Sequence, residues 1–151
     1  MKLKISLFFF LVLFSMSALA QDKAWFVKSS DAKVYAEANK VPILMVFAGS
    51  DWCKPCKMLK ADILHSPKFE AFHQTKFALL YLDFPMKAKN KLSADLKRQN
   101  DLLAEIYNKN GSFPYMTMIN TKGEILGELS FKSQTPELFI KQCETLLANK
   151  K

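Results

Sequence analysis

The sequence predicts a single α/β domain, a sheet flanked by helices, behind a cleavable leader. Three observations carry this. First, a continuous apolar run, Val41-Pro42-Ile43-Leu44-Met45-Val46-Phe47, is bounded by turn-forming Asn39-Lys40 and Gly49-Ser50-Asp51. Its length suits a buried strand. Second, this run leads into Trp52-Cys53-Lys54-Pro55-Cys56, and Lys57 to Leu64 then shows helical apolar spacing. The cysteines therefore lie where a strand ends and a helix begins. Third, a second apolar run, Phe77 to Asp83, reads as a strand buried on both faces.

Taken in order, residues 1–20 have the form of a secretory signal. Lys2 and Lys4 make a charged head, Leu7 to Phe14 an apolar core, and Ala18-Leu19-Ala20 a small-x-small site before Gln21. The apolar stretch is short for a membrane span; an uncleaved anchor is the alternative. Cleavage between Ala20 and Gln21 leaves residues 21–151 as one domain, and implies a periplasmic or secreted location. All three cysteines, Cys53, Cys56 and Cys143, then reach an oxidising compartment. Losing Lys2 and Lys4 and no acid lowers the net charge from +8 to +6. That excess suits a solvated surface, an acidic partner or membrane headgroups. No nucleic-acid-binding motif accompanies it, so no nucleic-acid partner is expected.

Ala24 to Val27 reads as a short first strand, and Ser29-Ser30-Asp31 opens a helix to about Asn39 with a capping side chain. His65-Ser66-Pro67 breaks the helix after the cysteines. Lys68 to Gln74 makes a helical turn or two with Phe69 and Phe72 inward. Beyond Asp83, Phe84-Pro85-Met86 leads into a basic loop, Lys87-Ala88-Lys89-Asn90-Lys91, read as solvated or as a docking surface. Ser93 caps a helix to about Asn108, with Leu96, Leu102, Leu103, Ile106 and Tyr107 on its inner side. Gly111 supplies the left-handed residue a helix exit uses. Tyr115 to Ile119 and Glu124 to Phe131 are strands joined by the turn Asn120-Thr121-Lys122-Gly123. Thr135-Pro136-Glu137 starts a last helix, to about Ala148.

The Cys53/Cys56 pair carries the chemistry. A thiol at a helix N-terminus faces unpaired N–H groups and the positive end of the helix dipole, which favour thiolate. Cys53 sits at that mouth, with Lys54 and Lys57 adding positive charge. Pro55 suits the first turn, where no N–H partner is required. Cys56, one turn in, is expected to be more buried. Cys53 is thus the attacking thiol and Cys56 the resolving one. A structural disulfide is the plain alternative. A zinc site wants four ligands, and the only histidines, His65 and His73, read as surface or helix-end residues, so no metal is expected. Cys143 shares helical spacing with Phe139 and Leu146 and reads as a small buried hydrophobe, the alternative being a regulatory or intermolecular disulfide.

From the strand and Gly49-Ser50-Asp51 through Trp52-Cys53-Lys54-Pro55-Cys56-Lys57, Phe113-Pro114 and the final hairpin and helix, roughly residues 24–148, the chain resembles the thioredoxin superfamily. The resemblance implies a central mixed β-sheet flanked by α-helices and thiol–disulfide exchange on exported proteins, with no cofactor beyond the dithiol. It implies that Pro114 is a cis-proline facing the dithiol and that the backbone of Phe113 pairs with an extended substrate. Trp52 is implied to pack beside Cys53 and shape the contact surface. Tyr115 stands where the family commonly has Thr, giving a differently shaped groove. Val46 stands where thioredoxins carry a buried acid, so Cys56 lacks that base. Copper-delivery relatives usually place three residues between the cysteines and use a distant histidine. The Lys-Pro dipeptide leans towards a reductant, which needs a membrane electron donor. Lys54 pulls towards an oxidase by stabilising the reduced form. A non-catalytic module presenting a peptide groove is the remaining alternative.

Overall fold

Ile43–Ala48 (β2) is buried at every residue and forms the centre of a five-stranded sheet. The computed structural model describes residues 24–148, and the leader, residues 1–20, lies outside them. The other strands are Trp25–Phe26 (β1), Ala78–Asp83 (β3), Tyr115–Ile119 (β4) and Ile125–Leu129 (β5). They lie in the order β1-β3-β2-β4-β5. β1 and β2 both run parallel to β3, β4 runs antiparallel to β2, and β5 antiparallel to β4. The sheet is mixed because helical crossovers join its first three strands and a tight turn joins its last two.

The helices are Ser29–Asn39 (α1), Lys54–Met58 (α2), Pro67–His73 (α3), Ala94–Tyr107 (α4) and Pro136–Ala148 (α5). A π-helical stretch, Leu59–Leu64, continues α2, and Ala88–Asn90 makes a short 3₁₀ turn. Alternation along the strands assigns two cores. Leu44, Val46, Ala48, Leu79, Tyr81, Met116 and Met118 face α2, α3 and α5, packing on Leu59, Ile63, Phe69, Phe139 and Cys143. Ile43, Met45, Phe47, Leu80 and Leu82 face Ala32 and Ala36 of α1 and Leu103, Ala104 and Tyr107 of α4. The molecule is a thioredoxin-like α/β sandwich of three layers.

Several expectations change. No side chain caps α1: its N-cap is Lys28. The start is held from a distance instead, the N–H and hydroxyl of Ser29 both donating to Gln99 Oε1 at 2.8 and 3.0 Å. Leu102 and Ile106 of α4 point outward, 53 % and 57 % exposed. The inner stripe runs Asn100, Leu103, Ala104, Tyr107, since Asn100 is drawn in by donating from Nδ2 to the Asp83 carbonyl at 2.9 Å. β5 is shorter than expected, ending at Leu129. Cys143 is fully buried, as its spacing predicted.

His73 lies at a helix end, as expected, but inside rather than at the surface. It follows Phe69 by one turn on the same face of α3 and is 2 % exposed. Its ring stacks on Phe69 and Phe77 at 5.4 and 5.9 Å between centroids. Burial holds its pKa down at about 4, against a weaker upward pull from Glu70. The folded protein therefore keeps His73 neutral while the unfolded chain takes up a proton near the ordinary 6.5. Its contribution to stability is complete above about pH 6.5 and declines as pH falls to about 4. Urea midpoints compared at the two ends of this window should converge between the wild type and His73→Leu at high pH. They should diverge in favour of His73→Leu at low pH.

Candidate active site

The end of β2, the turn after it and the first residue of α2 fix the dithiol. Cys53 is the N-cap of α2, extended at φ −82° and ψ 103°, with Pro55 in the first turn. Cys53 and Cys56 form a disulfide with Cα atoms 5.3 Å apart. The N–H of Cys56 donates to Cys53 Sγ at 3.2 Å, so the first sulfur already sits where a helix N-terminus presents a donor. The Gly49 N–H donates to Cys56 Sγ at 3.5 Å. Cys53 is 5 % exposed and Cys56 1 %, the order predicted, although both sulfurs are sheltered in the disulfide. Lys54 and Lys57 are exposed around the motif, and Lys57 Nζ donates to the Asp51 carbonyl at 3.2 Å.

Aromatic rings and a proline gather at the end of the sheet that carries the dithiol, and Phe113 packs against the cluster that holds both cysteines. Trp52 is 43 % exposed and lies across Gly49, while its indole N–H donates to the Phe84 carbonyl at 2.8 Å. Its ring meets Phe113 edge-on at 5.4 Å, and Phe113 meets Phe84 at 5.2 Å. The Phe113–Pro114 peptide bond is cis. Because Phe47 pairs with Tyr115, Pro114 lies level with the end of β2, where the motif begins. Trp52, Phe113, Pro114 and the dithiol are thus brought to one end of the sheet. The Tyr115 side chain is not. It packs on Phe47, on the face away from Met116 and the cysteines, and its hydroxyl donates to Glu128 at 2.7 Å. Burial and Glu128 push its pKa up to about 12.

Two carboxylates that the sequence shows only as a turn residue, Asp51, and a strand end, Asp83, hold the turn. Asp83 accepts the N–H and hydroxyl of Ser50 at 2.9 and 2.6 Å, and the Phe84 N–H at 2.9 Å. Asp51 accepts the N–H groups of Met86 and Lys87 at 3.0 and 2.9 Å and Asn90 Nδ2 at 2.9 Å. These bonds, the one from Met86 first, hold the Asp51 carboxyl at about 2, below its ordinary value. The signal was present in sequence as Asp at a turn, but its partners lie more than 30 residues away. Val46, matched by the resemblance to the position of the buried acid of thioredoxins, is fully buried and pairs in register with Tyr81. The Tyr81 hydroxyl is buried without a hydrogen-bond partner among the described residues, and burial, then Asp83, raises its pKa to about 12. Burial likewise raises Cys143 to about 12.

Comparison with known proteins agrees with this geometry. A family model described as thioredoxin-like matches residues 24–119. The chain is 26% identical over 118 residues to "Disulfide bond reductase DsbH" of Chlamydia pneumoniae, covering 78% of this chain and 69% of that one. It is 27% identical over 112 residues to "Thioredoxin-related protein DsbJ" of the same organism, covering 74% of this chain but only 31% of that longer protein. A solved structure named "DsbH Oxidoreductase" superposes with a TM-score of 0.74 at 26% identity, covering 80% of this chain and 82% of that one.

Two outcomes follow from the packing. A Cβ at Gly49 would lie 2.3 Å from the Trp52 ring. Gly49→Ala should therefore displace the indole and shift the Trp52 indole N–H resonance while leaving that of Trp25 in place. With the dithiol reduced, a water-soluble alkylating agent at pH 8 should label Cys53 within minutes. Cys143 should remain unlabelled until denaturant is added, as mass mapping of the labelled peptides would read.

Proposed function

The chain belongs to the thioredoxin-like family, and from that premise we propose that it is an extracytoplasmic thiol–disulfide oxidoreductase that reduces disulfides in exported proteins. The observation that carries this reading is the Cys56 N–H aimed at Cys53 Sγ at a helix start. A donor there stabilises negative charge on Cys53 once the disulfide opens. Cys53 attacks one sulfur of a substrate disulfide. That bond breaks, the other substrate sulfur leaves as thiolate, and a mixed disulfide to Cys53 remains. Cys56 gives its proton to water and attacks Cys53 Sγ. The Cys53–Cys56 bond forms and the second substrate thiolate leaves, so two electrons pass to the substrate. A membrane dithiol donor returns the electrons.

Roles around the dithiol extend this reading. Trp52 and Phe113 form the aromatic shoulder a substrate meets. Pro114 and the backbone of Phe113 and Tyr115 provide the edge along which an extended chain lies. Lys54 and Lys57 favour thiolate, and Pro55 keeps the first turn regular. Location outside the cytoplasm is supported by the leader pattern of residues 1–20, with cleavage after Ala20 and residues 21–151 as the working domain. Similarity to the disulfide bond reductase of Chlamydia pneumoniae supports reduction over oxidation.

A glutathione redox titration, followed through Trp52 fluorescence, tests the direction. A potential near or below about −230 mV marks a reductase, and one near about −120 mV an oxidase. Cys53→Ser should abolish insulin reduction. Cys56→Ser should accumulate mixed disulfides on Cys53. Insulin reduction surviving in Cys53→Ser would refute the exchange reading.

A further inference from the structure

The connection from β3 to α4 is the part of the molecule that the exchange chemistry leaves unexplained. It walls a groove of about 300 Å³. Phe84, Pro85 and Leu92 supply apolar floor, and Met86 stands on the rim, 76 % exposed. A methionine that open to water, two residues after the Phe84 carbonyl that holds the exposed Trp52 indole, makes an adaptable apolar contact available.

The charges around this groove are unbalanced. Each carboxylate there already has partners. Asp83 is held by Ser50 and Phe84, and Asp51 by Met86, Lys87 and Asn90. Asp101 pairs with Lys97 at 2.6 Å. Lys87, Lys89 and Lys91 are exposed and make no ion pair among the described residues. Lys54 and Lys57 extend the same positive field past the cysteines.

The wall of the groove is also bonded to the active-site turn. Its Phe84 carbonyl holds the Trp52 indole, and its Lys87 N–H and Asn90 hold Asp51, two residues before Cys53. A chain crossing Trp52 towards Cys53 therefore runs onto this loop. Because those bonds fix the loop against the motif, the lysines stand in a set relation to the sulfurs.

We propose that this groove is a docking subsite for an acidic, extended segment of the substrate protein, with one apolar side chain lying against Met86, Phe84 and Leu92. The proposal rests on the exchange reading above and adds a substrate class to it. The substrate's carboxylates meet Lys87, Lys89 and Lys91, which raises the encounter rate and orients its disulfide towards Cys53. An extended peptide suits a groove of this size better than a membrane surface, which would need a broader apolar face than one methionine.

The test separates docking from chemistry. A cysteine-free peptide, Glu-Asp-Leu-Glu-Glu, is titrated into the oxidised protein and backbone amide shifts are followed, with Lys-Lys-Leu-Lys-Lys as control. The acidic peptide should shift the amides of Met86 to Lys91 saturably, with affinity falling about tenfold or more between low and high salt. The basic peptide should not. Lys87→Glu with Lys89→Glu and Lys91→Glu should reverse the preference. Disulfide-containing versions of the two peptides should be reduced with an acidic-to-basic rate ratio of about ten or more at low salt.

No shift in residues 84–92 with the acidic peptide overturns the docking proposal, whatever the exchange activity. Shifts with neither disulfide peptide reduced uphold docking and refute the exchange reading. Anionic phospholipid vesicles shifting those amides where the peptide does not would overturn it in favour of a membrane surface. The peptide comparison uses the unaltered protein, so the outcome does not depend on the folding of the triple variant.

Discussion

One backbone N–H, that of Cys56, points at Cys53 Sγ, and the chemistry of the molecule depends on that alignment. It exists because Cys53 closes an extended segment and opens a helix in the same residue. The N–H groups of a first helical turn have no partners within the helix, so the sulfur at the cap becomes the nearest acceptor. Pro55 strengthens the arrangement by fixing a helical φ where no donor is lost. None of this would hold its place if β2 could shift. It cannot, since every residue of β2 is buried between two helical layers, all six pair with β3, and all but Ala48 pair with β4.

The turn between strand and helix is the weak point of such a design, being short of apolar residues to pack. Asp83 and Asp51 compensate for that. One carboxylate ties Ser50 to the end of β3, and the other ties the motif to the basic loop beyond it. Both accept backbone N–H groups, which gives direction as well as strength. The indole of Trp52 adds a third bond from the motif to the Phe84 carbonyl. The loop after β3 thus forms one piece with the active-site turn.

Behind the sulfurs the core is permissive of titratable groups only in their neutral form. Burial moves His73 down to about 4 and Tyr81 and Cys143 up to about 12. Val46 offers no carboxylate there. Around neutral pH these three groups stay uncharged, so they add no charge to the core around the dithiol. The groups able to answer a thiolate on Cys53, helix N–H groups and lysines, lie at the mouth.

The sequence by itself determined the strands, the helices and the dithiol at a strand-to-helix turn, because apolar periodicity and capping residues are local signals. Ser93 caps α4, Pro136 starts α5 and Tyr115–Ile119 forms a strand as their neighbours dictate. The fold class followed from the order of those elements. Tertiary structure decided what depends on distant partners. Gln99 rather than a local side chain anchors α1, Asn100 turns α4 so that Leu102 and Ile106 face water, and His73 is carried inside by Phe69. It also turned the Tyr115 side chain away from the cysteines and gave Asp51 its grip on the loop after β3. Each of these joins or faces segments far apart in the chain, and sequence spacing carries no record of which segments folding will bring together.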